Sequence, residues 1–331
     1  MNYGAGYYQM KIGFIGLGNV GGKLAGCLQQ QGIELIVRDL DRKSADPFLS
    51  AGAHWAETAK EVAEKSDAII TCLPSPKICA DVMEAKDGVL AGLAPGKIWL
   101  EMSTTDGAEI KRLAGRVTAI GAETLECPVS GGCHRAATGN ISVFVGGDRS
   151  TFEKMLPILT ILGRRVLHTG ELGTASVLKV MTNYLATANL ISLTEALTTM
   201  KMAGMDLNTT YEAIKISSGN SFVHETESQV ILNGSRDINF TMDLVLKDIG
   251  LFQDIADQAG VPLEISPKMI EIFKDGAIRY GEREWSPNII KRLEEACNID
   301  VLAPGFPDEM IDDEPVERGY EVKPLRSLSD A

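Results

Sequence analysis

The stretch KIGFIGLGNVGGKLAGCLQQQGIELIVRD, residues 11–39, decides the fold. Its first five residues form a short apolar run that predicts a strand, and GLGNVG at 16–21 supplies a glycine-rich turn. The residues after the turn have helical spacing as far as Gly32, and ELIVRD at 34–39 predicts a second strand. This order of strand, glycine turn, helix and strand is a βαβ unit with parallel strands.

The three glycines of GxGxxG have separate structural reasons. Gly16 permits the tight turn, Gly18 lets the backbone approach a pyrophosphate, and Gly21 allows the helix to pack closely. The helix N-terminus then offers free N–H groups to phosphates. The flanking strand and helix disfavour the alternative of an unrelated surface turn. We therefore expect the turn to contact a dinucleotide through Gly16, Leu17, Gly18, Asn19, Val20 and Gly21.

An acidic residue follows at the position that binds the adenosine ribose in such motifs. Asp39 ends the second predicted strand, eighteen residues after Gly21. Its carboxylate suits the ribose hydroxyls of NAD and would repel a 2′-phosphate. Arg38 and Arg42 flank it, so NADP remains possible as the cofactor.

Further apolar runs alternate with helical stretches, which predicts a parallel sheet covered on both faces. The predicted strands lie at 68–74, 97–103, 123–130, 141–147 and 164–170. Cofactors bind at the carboxyl edge of such sheets. Four residues at strand ends are therefore candidates for the cofactor site: Leu73, Pro74, Ser103 and Thr104. Turn or capping chemistry is the alternative explanation for the two hydroxyls.

The character of the sequence changes after Gly170. Residues 173–302 contain long apolar or amphipathic segments, at 206–218, 223–233, 241–259 and 265–278 among others, and predict helices. We therefore expect an α/β Rossmann doubly wound sheet over residues 10–172, followed by an all-α helical domain for substrate binding and dimerisation over 173–302. Residues 303–331 form an acidic, proline-containing tail, and we place residues 1–9 outside the fold.

Composition restricts the class of protein. The net charge of −13 argues against nucleic acid or an anionic membrane as a partner. The six cysteines show no CxxC spacing, as is typical of reduced thiols, and the four histidines show no metal-ligand spacing. There is no run of eighteen apolar residues and no signal-peptide pattern. We expect a soluble, cytoplasmic protein without a metal site.

Four motifs resemble, in order, those of the β-hydroxyacid dehydrogenases, the family of 3-hydroxyisobutyrate dehydrogenase and tartronate semialdehyde reductase. They are GLGNVG at 16–21, ECPVSGG at 126–132, GELGTASVLKVMTN at 170–183 and LKDIGL at 246–251. The family commonly has methionine at Val20, Asp-Ala at Glu126 and Cys127, and glycine at Ala175. The resemblance implies that Lys179 is the catalytic residue. It also places Ser130, Gly131, Gly132, Asn183 and Lys247 at the substrate, and Lys247 at the nicotinamide as well.

The chemistry of an alcohol dehydrogenation agrees with a lysine in this role. A hydride can leave the alcohol carbon only if the hydroxyl proton also leaves, so the site needs a base with a pKa near the working pH. A lysine serves when desolvation or a nearby cation, such as Lys247, lowers its pKa. Asn183 lies one helical turn after Lys179 and could orient the substrate oxygen. Alone, the segment would favour a lysine that extends to solvent.

The sequence therefore predicts an NAD-dependent dehydrogenase or reductase of a small 3-hydroxy acid or its semialdehyde, assembled as a homodimer or homotetramer. Alternatives are a reductase of another electrophile, such as an imine, and a non-catalytic dinucleotide-binding sensor. The retained Lys179 argues against the imine reductase, and the retained pair of Lys179 and Asn183 argues against the sensor. CHRAATG at 133–139 adds a further hypothesis. Arg135 could hold a second anionic group of the substrate, or it could pair with a surface acid.

Overall fold

A computed structural model of the protein describes residues 10–324. Residues 1–9, which the sequence places outside the fold, and the last seven residues of the predicted tail lie outside this range. The chain divides into two compact units. The first unit contains the described residues up to Lys179 together with those from Asp313 onward, and the second contains residues 180–312.

The first unit is built on one sheet. Its strands are β1 (Ile12–Ile15), β2 (Leu35–Arg38), β3 (His54–Trp55), β4 (Ala68–Thr71), β5 (Ile98–Glu101), β6 (Glu123–Glu126), β7 (Val129–Ser130), β8 (Ser142–Gly147), β9 (Arg165–Gly170) and β10 (Tyr320–Val322). They run in the order β10-β9-β8-β6-β5-β4-β1-β2-β3, and β7 pairs with β8. Strands β8 and β6 pair antiparallel, as do β7 and β8, and the remaining pairs are parallel.

Helices cover both faces of this sheet. They are α1 (Gly21–Gln30), α2 (Asp46–Ser50), α3 (Ala59–Lys65), α4 (Pro76–Glu84), α5 (Val89–Gly92), α6 (Gly107–Ala119), α7 (Gly132–Thr138) and α8 (Arg149–Leu162). A 3₁₀ turn lies at Arg42–Ala45. The side chains of Asp106 and Asp148 accept hydrogen bonds from first-turn N–H groups of α6 and α8, which fixes where these helices begin.

The apolar core of the first unit has two layers. Along β5, Ile98 and Leu100 belong to one buried cluster and Trp99 to the other. Strand β4 alternates in the same way, with Ile70 in the first cluster and Ile69 in the second. Side chains that alternate between two buried faces are the property of a strand covered on both sides. This confirms the predicted doubly wound sheet.

The strand register aligns the carboxyl ends of five strands. Ile15 of β1 lies opposite Arg38 of β2 and Thr71 of β4. Thr71 in turn lies opposite Glu101 of β5, and Glu101 lies opposite Glu126 of β6. The loops that follow these residues therefore leave the sheet at one edge.

The tail differs from the prediction in one respect. The sequence indicates 164–170 as the last strand, but Tyr320–Val322 pairs parallel with β9 and extends the sheet. Arg149 donates to both carboxylate oxygens of Glu321, which attaches the added strand to α8. Pairing gives partners to backbone groups of β9 that an edge strand would leave open.

The second unit is helical, as predicted. It contains most of the long helix α9 (Thr174–Met202), which begins in the first unit, together with α10 (Leu207–Lys215), α11 (Phe222–Asn233), α12 (Met242–Ala259), α13 (Ile265–Tyr280), α14 (Lys291–Cys297) and a 3₁₀ turn at Ser286–Ile290. Its core includes Leu197, Val245 and Phe273. Within residues 10–324, no helix is both long enough and apolar enough to cross a membrane.

Candidate active site

The glycine turn has the geometry that its three glycines predict. Gly16 has φ of +97°, and a Cβ there would lie 2.2 Å from the carbonyl oxygen of Cys72. A Cβ on Gly21 would lie 2.0 Å from the carbonyl oxygen of Gly16, so neither position accepts a side chain. Gly18 is exposed, and a Cβ there would meet nothing within 4 Å. The turn therefore presents open backbone on the side where a pyrophosphate would approach.

Asp39 is tied to the glycine turn. Its Oδ2 accepts the N–H of Leu17 at 2.6 Å, and its Oδ1 accepts the N–H of Asp41 at 3.0 Å. Of the other turn residues, Asn19 is exposed and Val20 is half-buried. The carboxylate thus fixes the end of β2 against the turn while remaining only partly buried itself.

Two arginines lie close to Asp39. The guanidinium carbons of Arg38 and Arg42 are 5.1 Å and 5.2 Å from the ring centroid of Trp55, and Arg38 also donates to the carbonyl oxygen of Asp39. Contacts of this kind between a guanidinium and an indole ring are attractive. The positive charge flanking Asp39 is therefore held at the end of β2 and β3.

The ends of β4 and β5 are linked by a buried carboxylate. The N–H of Leu73 donates to the Ser103 hydroxyl at 2.7 Å, and the N–H of Ser103 donates to Glu101 at 2.7 Å. Glu101 is fully buried and also accepts from Cys79 at 2.9 Å. Burial raises the pKa of the Glu101 carboxyl above its usual value.

The Ser103 hydroxyl therefore accepts a hydrogen bond from the neighbouring strand end, and Ser103 is 3% exposed. Pro74 and Thr104 lie next to these linked residues, and Pro74 is exposed whereas Thr104 is half-buried. The link holds both predicted stretches at the carboxyl edge of the sheet, where the glycine turn also lies.

The predicted substrate loop begins at the same edge. Ser130 is the last residue of β7 and pairs with Ser142 of β8. Gly131 and Gly132 have φ of +134° and +85°, which L side chains rarely adopt. Ser130 and Gly131 are half-buried and Gly132 is exposed, so the loop has accessible backbone.

The start of α9 is anchored by Glu126, the last residue of β6. Its fully buried carboxylate accepts the N–H groups of Ala175 and Ser176 at 2.9 Å and 3.1 Å. Lys179 follows within the same helix and is 7% exposed. The structure therefore holds this lysine within the protein interior, and the predicted alternative of a lysine extended to solvent does not apply.

In the second unit, Asp248 joins two of the predicted substrate residues. Asn183 Nδ2 donates to Asp248 Oδ2 at 2.5 Å, and Lys247 Nζ lies 3.0 Å from Asp248 Oδ1. Asp248 is 2% exposed. Its carboxylate thus accepts a hydrogen bond from the amide on one oxygen and forms an ion pair with the ammonium group through the other.

Arg135 is paired with the tail. Its Nη2 lies 3.4 Å from Glu314 Oε2, and Glu314 also contacts Arg164 and Arg165. Arg165 beside Glu314 lowers the pKa of that carboxyl below its usual value. The contact with Glu314 supports the second interpretation of Arg135, a pair with a surface acid, over the first.

Two family descriptions match consecutive parts of the chain. Residues 11–170 match the NAD-binding domain of 6-phosphogluconate dehydrogenase, and residues 173–293 match the NAD-binding domain of NADP-dependent 3-hydroxyisobutyrate dehydrogenase. The 2-(hydroxymethyl)glutarate dehydrogenase of Eubacterium barkeri is 32% identical over 293 residues, which are 88% of this chain and 97% of that protein. The chain belongs to the β-hydroxyacid dehydrogenase family.

Two more relatives agree with this assignment. The mitochondrial 3-hydroxyisobutyrate dehydrogenase of Mus musculus is 32% identical over 283 residues, 83% of this chain and 84% of that protein. A solved 3-hydroxyisobutyrate dehydrogenase from Salmonella typhimurium superposes with a TM-score of 0.78 at 27% identity, over 86% of this chain and 100% of that one. This β-hydroxyacid dehydrogenase thus matches its relatives across both units.

Three buried carboxylates of this family member were not assigned a role from the sequence. Glu101 and Glu126 end neighbouring strands, where an acid interrupts an apolar run, and Asp248 directly follows the motif lysine. The acid at a strand end was the signal available for the first two. Over residues 10–324, no group of three or more His, Cys, Asp or Glu side chains is placed to hold a metal ion.

Proposed function

We propose that this protein transfers a hydride between a nicotinamide cofactor and a small 3-hydroxy acid or its semialdehyde, and that Lys179 exchanges the accompanying proton. The protein is an NAD(P)-dependent oxidoreductase of CH–OH groups, as its family membership indicates. The observation that carries the residue assignment is the burial of Lys179 in a helix that starts at the cofactor edge of the sheet.

The residues of the first unit fit a dinucleotide. The open backbone at Gly18 would receive the pyrophosphate, and the partly buried Asp39 would accept hydrogen bonds from the adenosine ribose. We assign the stretches Leu73–Pro74 and Ser103–Thr104 to the walls of the cofactor site, on the support of their shared edge. When bound, the nicotinamide supplies the hydride acceptor or donor.

Lys179 is proposed to act on the substrate oxygen. In oxidation, its neutral amine takes the hydroxyl proton as the hydride leaves the carbon, and in reduction its ammonium returns a proton to the carbonyl oxygen. Lys179 is 7% exposed, so bulk water competes little for this exchange.

The remaining motif residues are proposed to hold the substrate. The hydroxyl of Ser130 and the backbone at Gly131 and Gly132 would bind the substrate carboxylate, since both glycines permit close approach. Asn183 and Lys247 would orient the substrate, and Asp248 keeps both side chains in place. Lys247 is also assigned to the nicotinamide side.

A turnover screen of the purified protein tests the proposed function. We expect NAD(H)-linked turnover of at least one compound among 3-hydroxyisobutyrate, L-serine, tartronate semialdehyde and dicarboxylic 3-hydroxy acids. The last class is included because one relative is named for 2-(hydroxymethyl)glutarate. Cyclic imines are assayed in parallel. Turnover of imines alone would establish the alternative reductase, and NADH binding without any turnover would establish the sensor.

Cofactor preference is expected to follow Asp39. We expect NADH to be used with a higher kcat/KM than NADPH, because the carboxylate repels a 2′-phosphate. Asp39→Ser should move the ratio toward NADPH by about tenfold or more, a change of ~1.4 kcal/mol, since Arg38 and Arg42 remain beside the site. Asp41→Ser, which changes an exposed carboxylate two residues away, is the matched control. An unchanged ratio in Asp39→Ser would remove Asp39 from cofactor selection.

We further propose that the protein assembles as a homodimer or homotetramer, and that it works in a reducing, cytoplasmic compartment. The proposed assembly is supported by apolar side chains such as Leu185, which is 50% exposed on α9. The proposed compartment is supported by six cysteines that form no disulfide.

A further inference from the structure

One carboxylate satisfies the start of the helix that carries Lys179. Glu126 Oε1 accepts the N–H groups of Gly173 and Ala175, and Oε2 accepts the N–H and the hydroxyl of Ser176. These residues are the one before α9 and its second and third residues. One side chain from strand β6 therefore accepts hydrogen bonds from three N–H groups that no helix carbonyl can reach.

The negative charge of the Glu126 carboxylate is favourable at the N-terminus of α9. A carboxylate at a helix N-terminus interacts favourably with the helix dipole, and four donors replace the water that Glu126 loses on burial. Without Glu126, these N–H groups would be buried and unsatisfied, because α9 begins inside the first unit.

The neighbouring strand leaves room for the carboxylate. Gly146 of β8 lies opposite Glu126 in the register, and a Cβ there would be 2.2 Å from Glu126 Oε1. The carboxylate of Glu126 can therefore occupy this position only because residue 146 is glycine. A side chain at 146 would displace the carboxylate from the helix.

Glu126 also connects two parts of the proposed site along the chain. Ser130 of the substrate loop follows it by four residues, and Lys179 follows its partner Ser176 by three. We propose that Glu126 is a positioning residue that fixes the first turn of α9, and so Lys179, relative to the substrate loop. The kinetic consequence rests on the proposed function, whereas the anchoring of the helix does not.

The first test is Glu126→Gln in the full-length protein. Glutamine keeps the length of the side chain but places an NH₂ group against N–H donors. We expect kcat to fall by about tenfold or more while KM and the Kd for NADH change by less than about threefold. Amide hydrogen exchange in 173–179 should become about tenfold faster or more.

Milder variants extend the test in case the first is poorly folded. Ser176→Ala removes one of the four donors and should lower kcat by a few-fold. Gly146→Ala leaves Glu126 intact but takes its space, and we expect it to speed exchange at 173–179 as Glu126→Gln does. Glu126→Asp keeps the charge on a shorter side chain and should retain more of kcat than Glu126→Gln.

Glu123→Gln is the matched control. Glu123 lies on the same strand and receives the same substitution, but it accepts from Thr151 of α8 at 2.5 Å rather than from α9. We expect normal exchange at 173–179 and normal kcat.

The role inferred for Glu126 and the proposed function can be disproved independently of each other. If Glu126→Gln and Gly146→Ala match Glu123→Gln in exchange and in kcat, Glu126 does not position the helix. If the variants lose thermal stability but keep kcat per folded molecule, the contact is structural only, and the inference is also wrong. If the wild-type protein turns over no substrate, the proposed function fails, and the exchange rates still decide whether Glu126 anchors α9.

Discussion

Lys179→Ala is expected to lower kcat by about 10²–10⁴-fold, the range that a positioned general acid or base contributes. The physical reason is that the hydroxyl proton must leave as the hydride leaves, and alanine offers no acceptor. NADH binding should stay within about threefold of the wild-type value, because the lysine is proposed to act on the substrate proton and not on the cofactor. Stopped-flow turnover and fluorescence titration with NADH measure the two quantities.

Lys179→Arg separates proton exchange from charge. Arginine keeps the positive charge but does not release its proton near neutral pH, so we expect the same loss of kcat as with alanine. Activity restored to Lys179→Ala by added primary amines would support proton exchange directly. A fully active arginine variant would instead mean that position 179 contributes only electrostatic stabilisation.

Lys201→Ala is the matched control for these variants. Lys201 lies in the last turn of the same helix and is exposed, so its loss should leave kcat unchanged. If Lys179→Ala retains more than about a tenth of kcat, a difference of only ~1.4 kcal/mol, the role assigned to Lys179 is wrong.

The parts of the fold that the sequence predicted are those encoded locally. The strand, turn and helix over residues 11–32 follow from apolar spacing and from glycines whose neighbours lie nearby. Even so, the reason for Gly16 includes Cys72, which directly follows the neighbouring strand β4. The glycine pattern indicates that another part of the chain comes close to the turn, but it does not show which part.

Strand β10 was missed because its partner is far away in the sequence. Tyr320 pairs with Arg165, and the tail around it is rich in charge and proline and has no apolar alternation. The strand is held by backbone pairing and by ion pairs such as Arg149 with Glu321, which leave no periodic pattern to read. Strand β3 was missed because two residues are too short for a period.

Within the candidate site, the sequence predicts the residues that are proposed to carry the chemistry, and it misses the carboxylates that hold the segments around them. Ser130 and Lys179 lie in motifs that can be recognised one at a time. Glu126 becomes significant only through partners 47 to 50 residues later in the chain. A buried acid at a strand end indicates that donors must exist, but the fold decides which donors they are.

Asp248→Ala is expected to lower kcat/KM by about a hundredfold, since it removes an acceptor of Asn183 and a counter-ion of Lys247 together. A buried donor left without its acceptor costs about 1–3 kcal/mol, and ~2.7 kcal/mol corresponds to a hundredfold in rate. The loss should be divided between kcat and KM, because both partners are proposed to hold the substrate. Steady-state kinetics with the best substrate from the screen measure it.

Two further variants show whether this loss arises from the pairing. Asp248→Asn can still accept from Asn183 but gives up the ion pair with Lys247 at 3.0 Å, so we expect an intermediate loss. Asp254→Ala removes an exposed carboxylate from the same helix, α12, and should leave kcat/KM unchanged. In a double-mutant cycle, Asn183→Ala combined with Asp248→Ala should cost little more than either single change, because both remove one shared arrangement. Fully additive losses would show that Asp248 does not act through Asn183.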